Sequence, residues 1–219
     1  MNHLTRYNQI AGQKIGRVEA LSDGVFAIAL TLLVLEIKVP EVHIQTEAEL
    51  WYALKTLSPK FLSYFLSFMT MGIFWTGQSL QLSYMEKYNR DLSWNALFFL
   101  LLVSLLPFTT AFLGQYTTFK LAVGIYWLNI LLLGLLLYLH WNYACKHNFI
   151  SIKESETFKA IDTAIRRRIV IAQCLYLFGA LLCFISTYIS IAFIIAVQLN
   201  YAFAIVSGRA SKKNKPAGK

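Results

Sequence analysis

The chain has 219 residues, of which 57% are hydrophobic and 14% charged, and its formal net charge is +9 at pH 7. An average soluble domain is about 25% charged, so this composition excludes a soluble protein and indicates a membrane protein with several spans. The positive charge then indicates a loop asymmetry that orients the chain in the membrane, and we expect no nucleic-acid partner.

Apolar stretches along the chain predict an all-α polytopic membrane protein with six transmembrane helices. The last two predicted spans should form a tight helical hairpin, and the polar connectors 39–59 and 144–166 should be short amphipathic or irregular segments. We assign residues 1–208 to one six-span transmembrane domain and 209–219 to a basic cytoplasmic tail. The predicted spans cover roughly 17–38, 60–84, 93–113, 119–143, 167–187 and 189–207.

Basic residues concentrate on one side of this predicted topology. With six spans, sixteen of the twenty Lys and Arg fall in the N-terminal segment, the loops 85–92 and 144–168, and the tail. Because positively charged loops stay in the cytoplasm, both termini should be cytoplasmic, in what we expect to be a bacterial plasma membrane. The basic clusters beside the spans should contact anionic membrane lipids.

The first predicted span carries a polar cluster at membrane depth. Ser22 and Asp23 precede its apolar run, and an aspartate inside a membrane marks a functional or tightly paired site. Polar groups at that depth must be satisfied within the protein. Trp75, Gln78 and Asn95 are the best partners that the other spans offer to this pair.

The apolar run of the same span forms a seam. At about 100° per residue, Leu32 and Leu35 both fall within about 40° of Ile28, with Thr31 at the edge. Asp23 lies about 140° from Ile28, so the two faces meet different partners. The polar face should pack within the subunit, and the seam is free to meet copies of itself around an axis.

Each of these features also has a plainer structural interpretation. The seam of Ile28, Leu32 and Leu35 can face lipid or other helices. The hydroxyl of Thr31 can bond back to the carbonyl four residues earlier. Asp23 is better placed for a structural pairing than for direct contact with an ion.

Polar and breaking residues in the later spans suggest contacts between helices. Asn129 and His140 are candidate polar contacts between spans, with His140 expected near the membrane surface. Pro107 should break or kink the third span near its outer end. We find no phosphate-binding, hydrolase or zinc motif and no carbonyl-filter sequence, so we expect no enzyme, no cofactor and no bound metal.

The first span resembles the signature of the prokaryotic branch of the transmembrane protein 175 family, which includes an endolysosomal potassium channel. The family pattern of Arg, three residues, Phe, Ser, Asp stands here as Arg17 followed by Leu21-Ser22-Asp23. Leu21 replaces the usual Phe. The likeness continues through LLVLEIKVP at 32–40 and SLLPF at 104–108, and it covers about the first half of the chain. Family histidines after the second-span tryptophan are replaced here by Gln78-Ser79.

The resemblance implies a homotetramer of six-span subunits around a central pore lined by the first helix. Ile28 would form the narrowest ring, with Leu32 and Leu35 above it. Thr31 would supply the hydroxyl layer linked to potassium preference, and potassium would pass near Ile28 and Thr31. The network that holds the pore helix would comprise Arg17, Ser22, Asp23, Trp75, Gln78 and Asn95.

Three functions are therefore compared. The first is a potassium-selective leak channel with a hydrophobic side-chain constriction. The second is a proton-conducting or proton-coupled transporter that titrates Asp23. The third is a membrane scaffold or lipid-binding protein without transport, in which the seam packs against lipid or another span.

Overall fold

Seven helices make up most of the described chain. The computed structural model describes residues 14–40, 45–151 and 156–213, with side chains described as far as Tyr201. The prediction of an all-α fold is confirmed for these residues, which include one isolated antiparallel bridge between Met85 and Ile150. The side chains of the predicted tail, 209–219, lie outside the described part. The helices are α1 (Ile15–Leu35), α2 (Glu47–Thr56), α3 (Ser58–Ser83), α4 (Arg90–Gln115), α5 (Lys120–Lys146), α6 (Glu156–Leu182) and α7 (Thr187–Lys213).

Helix α1 has the length of a membrane crossing. Its 21 residues rise about 30 Å, close to the thickness of a bilayer core. It ends at Leu35 rather than at residue 38, since the chain approaches Pro40 and the residue before a proline disfavours helical geometry. The helix therefore lies where the first span is predicted, with its ends two to three residues nearer the N-terminus.

Both polar connectors contain helical segments. The first contains α2, which opens with a capping box: Thr46 Oγ1 accepts the Glu49 N–H, and the Glu49 carboxylate accepts the Thr46 N–H, each at 3.3 Å. Within the second, α6 already begins at Glu156. Its polar first part contains an Arg166–Asp162 ion pair at 2.7 Å, one helical turn apart.

The last two helices form the predicted tight hairpin, with a different boundary. Helix α6 ends at Leu182, five residues before the predicted end, and α7 begins at Thr187. Gly179 allows the close approach, because a Cβ there would lie 2.9 Å from Ile194 Cγ1. Ser190 Oγ donates to the Gly179 carbonyl at 2.7 Å across this contact. Helix α4 is continuous through Pro107, so of the predicted break or kink the break is wrong and the kink stays a prediction.

Helices α3, α4 and α5 form the centre of the bundle. Helix α1 packs against α3 and α4, and α4 also packs against α3 and α5. Helix α6 contacts α5 and α7, and α7 returns to α3. The ring of Phe99 joins three of these helices, with ring centroids 6.1 Å from Phe26 and 6.2 Å from Phe74.

A buried cluster of hydroxyls connects α3, α5 and α7. Tyr126 is 1% exposed, and its hydroxyl lies 3.2 Å from Ser67 Oγ and 3.1 Å from Thr70 Oγ1. Gln198 Nε2 donates to Thr70 Oγ1 at 2.6 Å. These bonds satisfy polar groups that neither water nor lipid reaches, so they fix how the three helices pack.

Replacing Tyr126 with phenylalanine should destabilise the subunit by about 1–3 kcal/mol, because the substitution removes the hydroxyl that Ser67 and Thr70 contact and leaves both buried. Denaturant or thermal unfolding of the purified protein measures the change. Tyr116→Phe is the matched control, since Tyr116 directly follows α4 and is 40% exposed. Equal stability of the Tyr126→Phe variant and the wild type would contradict the structural role of this cluster.

His140 is buried between helices of the subunit. It is 3% exposed, with Nε2 2.9 Å from the Tyr88 hydroxyl and Nδ1 3.0 Å from Gln81 Oε1. The predicted polar contact between helices is therefore confirmed for His140, because its face of α5 is turned toward α3 and the following loop, and its depth in the membrane stays a prediction. Burial raises the pKa of the Tyr88 phenol above its ordinary value, so this loop residue stays a neutral hydroxyl.

Three helices within the described residues are long and apolar enough to cross a membrane, namely α1, α4 and α5. The apolar part of α7 with described side chains, Thr187–Tyr201, is shorter. These helices mark a membrane protein, as the composition predicts. The count of six spans stays a prediction.

Candidate functional site

One face of α1 is uncovered by the rest of the subunit. Ile28 is 62% exposed, Leu32 42% and Leu35 66%, and Thr31 is exposed beside them. The face continues toward the helix start through Gly24, Leu21 and Arg17, which are also exposed. Large apolar side chains are thus presented along the whole length of a membrane helix.

The opposite face of α1 is packed into the bundle. Ser22, Phe26, Ala29 and Leu33 are all at most 2% exposed and follow the i, i+4, i+7 spacing of a helix face. Phe26 belongs to the ring contacts with α4 described above. The division into a buried face and an uncovered seam follows the helical-wheel prediction.

The hydroxyl of Thr31 is bonded to its own helix. Its Oγ1 donates to the Ile28 carbonyl at 2.8 Å, three residues earlier rather than four. The hydroxyl proton is used in this bond, so the oxygen keeps its lone pairs for a cation or another donor. The only side-chain oxygen between Ile28 and Leu35 is therefore available as an acceptor.

Asp23 is anchored to α3. Trp75 Nε1 donates to Asp23 Oδ1 at 2.8 Å, which is the length of a charge-assisted hydrogen bond. Both side chains are partly or fully exposed at the edge of the buried face. This bond joins the polar end of α1 to the neighbouring helix and leaves the seam free.

A small polar pocket lies beside this bond. It has a volume of about 110 Å³ and combines Ser22, Asp23, Trp75 and Gln78 from the predicted set. Ser22 Oγ is buried and has no hydrogen-bond partner among the described residues. The remaining lining residues are Glu19, Ser79 and Leu82.

Two members of the predicted network lie apart from this pocket. Arg17 is on the exposed seam, and Asn95 is on α4 with a buried Oδ1 that lacks a partner among the described residues. Conversely, sequence reasoning missed Glu19 and Ser79. The i, i+4 spacing of Glu19 and Asp23 is the signal that could have found the first, because it places both carboxylates on one helix face.

The α1 seam offers apolar side chains and one hydroxyl oxygen, which suit the lining of a passage. No group of three or more His, Cys, Asp and Glu residues that could hold a metal occurs in the described part of the chain. An apolar seam with one hydroxyl oxygen cannot activate a nucleophile. Several such helices around an axis can line a narrow path that closes by dewetting.

Sequence comparison identifies related proteins. The family described as "Endosomal/lysosomal potassium channel TMEM175" matches residues 17–107. A protein of Streptomyces collinus named as a potassium channel is 44% identical over 101 residues, which cover 46% of this chain and about half, 48%, of that protein. A potassium channel of Chryseobacterium sp. is 32% identical over 187 residues, 84% of this chain and 90% of that protein.

A solved structure shares the fold. The crystal structure of a lysosomal potassium-selective channel TMEM175 homolog from Chamaesiphon minutus matches with a TM-score of 0.76 and 30% sequence identity. The match covers 87% of this chain and 97% of that one. The likeness therefore extends beyond the first helix to the whole bundle.

Proposed function

Because this chain belongs to the family of the endosomal/lysosomal potassium channel TMEM175, we propose that it is a potassium channel built as a homotetramer of six-span subunits. The four α1 helices surround a central pathway, and potassium permeates passively. The family consists of ion channels, so the chain is not an enzyme. The protein needs no cofactor, and potassium is the permeant ion.

The observation that carries this proposal is the uncovered apolar seam of α1. Large side chains that are 42–66% exposed on a subunit surface need a covering surface, and a membrane helix has only lipid or protein to supply one. The seam also holds the acceptor oxygen of Thr31, and lipid tails offer no donor or cation to such an oxygen. Four copies of α1 around an axis give both features a purpose.

The constriction of this pathway consists of side chains. Ile28 forms the narrowest ring, and Leu32 and Leu35 form wider rings toward the outer end of α1. Apolar rings do not replace a hydration shell as carbonyl cages do, so selectivity for potassium over sodium is modest. Thr31 adds oxygen atoms beside the Ile28 ring.

The polar end of α1 serves to hold the helix in place. The 2.8 Å bond between Trp75 and Asp23 supports this role, because it ties the helix to α3 away from the seam. Arg17, Ser22, Gln78 and Asn95 belong to the same support in the assembled tetramer. In this proposal both termini are cytoplasmic, in a bacterial plasma membrane whose anionic lipids contact the basic loops.

Potassium flux from vesicles tests this function. Purified protein reconstituted in vesicles with a potassium gradient should release potassium. The cation flux should be slower when sodium replaces potassium in the vesicles. Absence of potassium flux at every voltage would contradict a channel. Flux that saturates and requires a proton gradient would instead support the proton-coupled alternative that uses Asp23.

Replacing Thr31 with valine should lower the preference for potassium over sodium, because it removes the acceptor oxygen and keeps the shape of the side chain. Thr31→Ser keeps the oxygen and serves as the matched control. Reversal potentials with potassium and sodium on opposite sides measure the preference. A valine variant with unchanged preference, or a serine variant with the same loss, would show that this oxygen does not act on the ion.

A further inference from the structure

The polar pocket beside Asp23 has the composition of a site for a hard cation. Its oxygen atoms come from two carboxylates, Glu19 and Asp23, two hydroxyls, Ser22 and Ser79, and the amide of Gln78. No sulfur or imidazole of the described residues lines it. A volume of about 110 Å³ has room for several water molecules.

The two carboxylates concentrate negative charge at this pocket. Glu19 and Asp23 stand one helical turn apart on the same face of α1, where like charges repel. Neither forms an ion pair with another residue of the described part of the chain. One oxygen of Asp23 accepts from Trp75, and the second oxygen stays available for another partner.

A buried hydroxyl gives an independent sign of a missing partner. Ser22 is 2% exposed and lines the pocket, and its Oγ lacks a hydrogen-bond partner among the described residues. A buried polar atom without a partner costs about 1–3 kcal/mol. A cation with ordered water in the pocket would satisfy Ser22 and neutralise both carboxylates at once.

We propose that this pocket binds a hydrated divalent cation, Mg²⁺, between the carboxylates of Glu19 and Asp23. Mg²⁺ keeps several of its waters and is commonly held by one or two carboxylates, which matches a pocket with two. The hydroxyls of Ser22 and Ser79 and the amide of Gln78 then hold the coordinated waters. The polar contact with Trp75 keeps Asp23 oriented toward the ion.

Such an ion would link the start of α1 to α3. Glu19, Ser22 and Asp23 belong to α1, whereas Gln78 and Ser79 belong to α3. A bound cation therefore adds a second attachment beside the Asp23–Trp75 bond. Its effect on ion passage rests on the proposed channel function and on the cytoplasmic position of this end of α1, but the binding itself does not.

Counting bound Mn²⁺ by electron paramagnetic resonance tests the proposal, with Mn²⁺ as the probe for a Mg²⁺ site. The full-length protein in nanodiscs, cleared of metal by chelation, should take up one Mn²⁺ per chain and release it to excess Mg²⁺. Glu19→Gln and Asp23→Asn should each weaken uptake by about 10–100-fold, the usual effect of losing a metal's protein partner. Glu86→Gln, at an exposed carboxylate of the 84–89 loop, should leave uptake unchanged.

Equal uptake by the wild type and Glu19→Gln would overturn the proposal, as would no uptake by the wild type. Glu19→Gln keeps the size of the side chain and leaves the Asp23–Trp75 bond in place, so it decides the matter even where Asp23→Asn fails to assemble. The measurement needs no ion flux. Failure to bind Mn²⁺ with intact potassium flux would remove this site alone, and the reverse result would remove the channel function alone.

Discussion

Replacing Ile28 with alanine should raise potassium conductance at least about tenfold, which corresponds to a barrier lowered by about 1.4 kcal/mol. In the proposed tetramer the Ile28 side chains meet at the narrowest ring. Truncating all of them widens the ring and lets water fill it, and a wetted ring no longer gates by dewetting. Because sodium then passes with more of its water, the preference for potassium should also fall. Single-channel recording measures both quantities.

The matched control for this prediction is Val34→Ala. Val34 is 49% exposed on the same helix but lies about 120° around it from Ile28, away from the seam. Its conductance and selectivity should equal those of the wild type. Unchanged currents in Ile28→Ala, or the same increase in both variants, would mean that the seam does not line the pathway.

Breaking the bond between Asp23 and Trp75 should damage assembly or opening before it changes ion preference. Asp23→Ala removes an acceptor that holds the polar end of α1 on α3 at 2.8 Å. Hydrogen bonds to charged groups are about twice as strong as those between neutral groups. We therefore expect a smaller tetramer fraction or fewer active channels, with the remaining channels as selective as the wild type.

A double-mutant cycle separates this bond from other effects of the substitutions. Asp23→Ala and Trp75→Phe should each lower tetramer stability, and together they should cost less than the sum of the two. Trp94→Phe, at a half-exposed tryptophan of α4, is the control and should add fully to Asp23→Ala. Full additivity of Asp23→Ala and Trp75→Phe would contradict a direct role for the bond. A stable Asp23→Ala channel with altered selectivity would instead assign Asp23 to the ion pathway.

Helix α1 could be read from the sequence because its two faces differ in chemistry. The spacing of Ile28, Leu32 and Leu35 is enough to define a seam, and polar residues outside it indicate the packed side. Trp75 could be named as a partner because few donors exist at membrane depth. The sequence does not show which groups Ser22 and Asn95 contact, because those contacts depend on distances between helices.

Buried polar contacts between distant segments were the part that sequence reasoning missed. The partners of His140 could not be named from its position along the span, since hydropathy gives depth but not the rotation of a helix. Its partners Tyr88 and Gln81 are 52 and 59 residues away. The hydroxyl cluster around Tyr126 was missed for the same reason, because each member alone resembles an ordinary residue of an apolar helix.

Helix boundaries outside the apolar runs were also hard to predict. The early start of α6 at Glu156 escaped notice because residues 156–166 are mostly polar, so no apolar run marks them as part of a span. In the structure, Arg166 and Asp162 lie one helical turn apart in this polar part of α6 and form an ion pair. Capping by Thr46 and Glu49 likewise stabilises α2. The sequence alone also allowed an irregular segment in this connector.

The central claim is that the α1 seam lines the potassium pathway, and single-channel recording of the purified protein under potassium/sodium bi-ionic conditions tests it most directly. The wild type should show unitary currents whose reversal potential favours potassium. Ile28→Ala should increase the unitary current and move the reversal potential toward zero, whereas Val34→Ala should change neither. No unitary current from the wild type, or identical currents and reversal potentials in the wild type and Ile28→Ala, would contradict the claim.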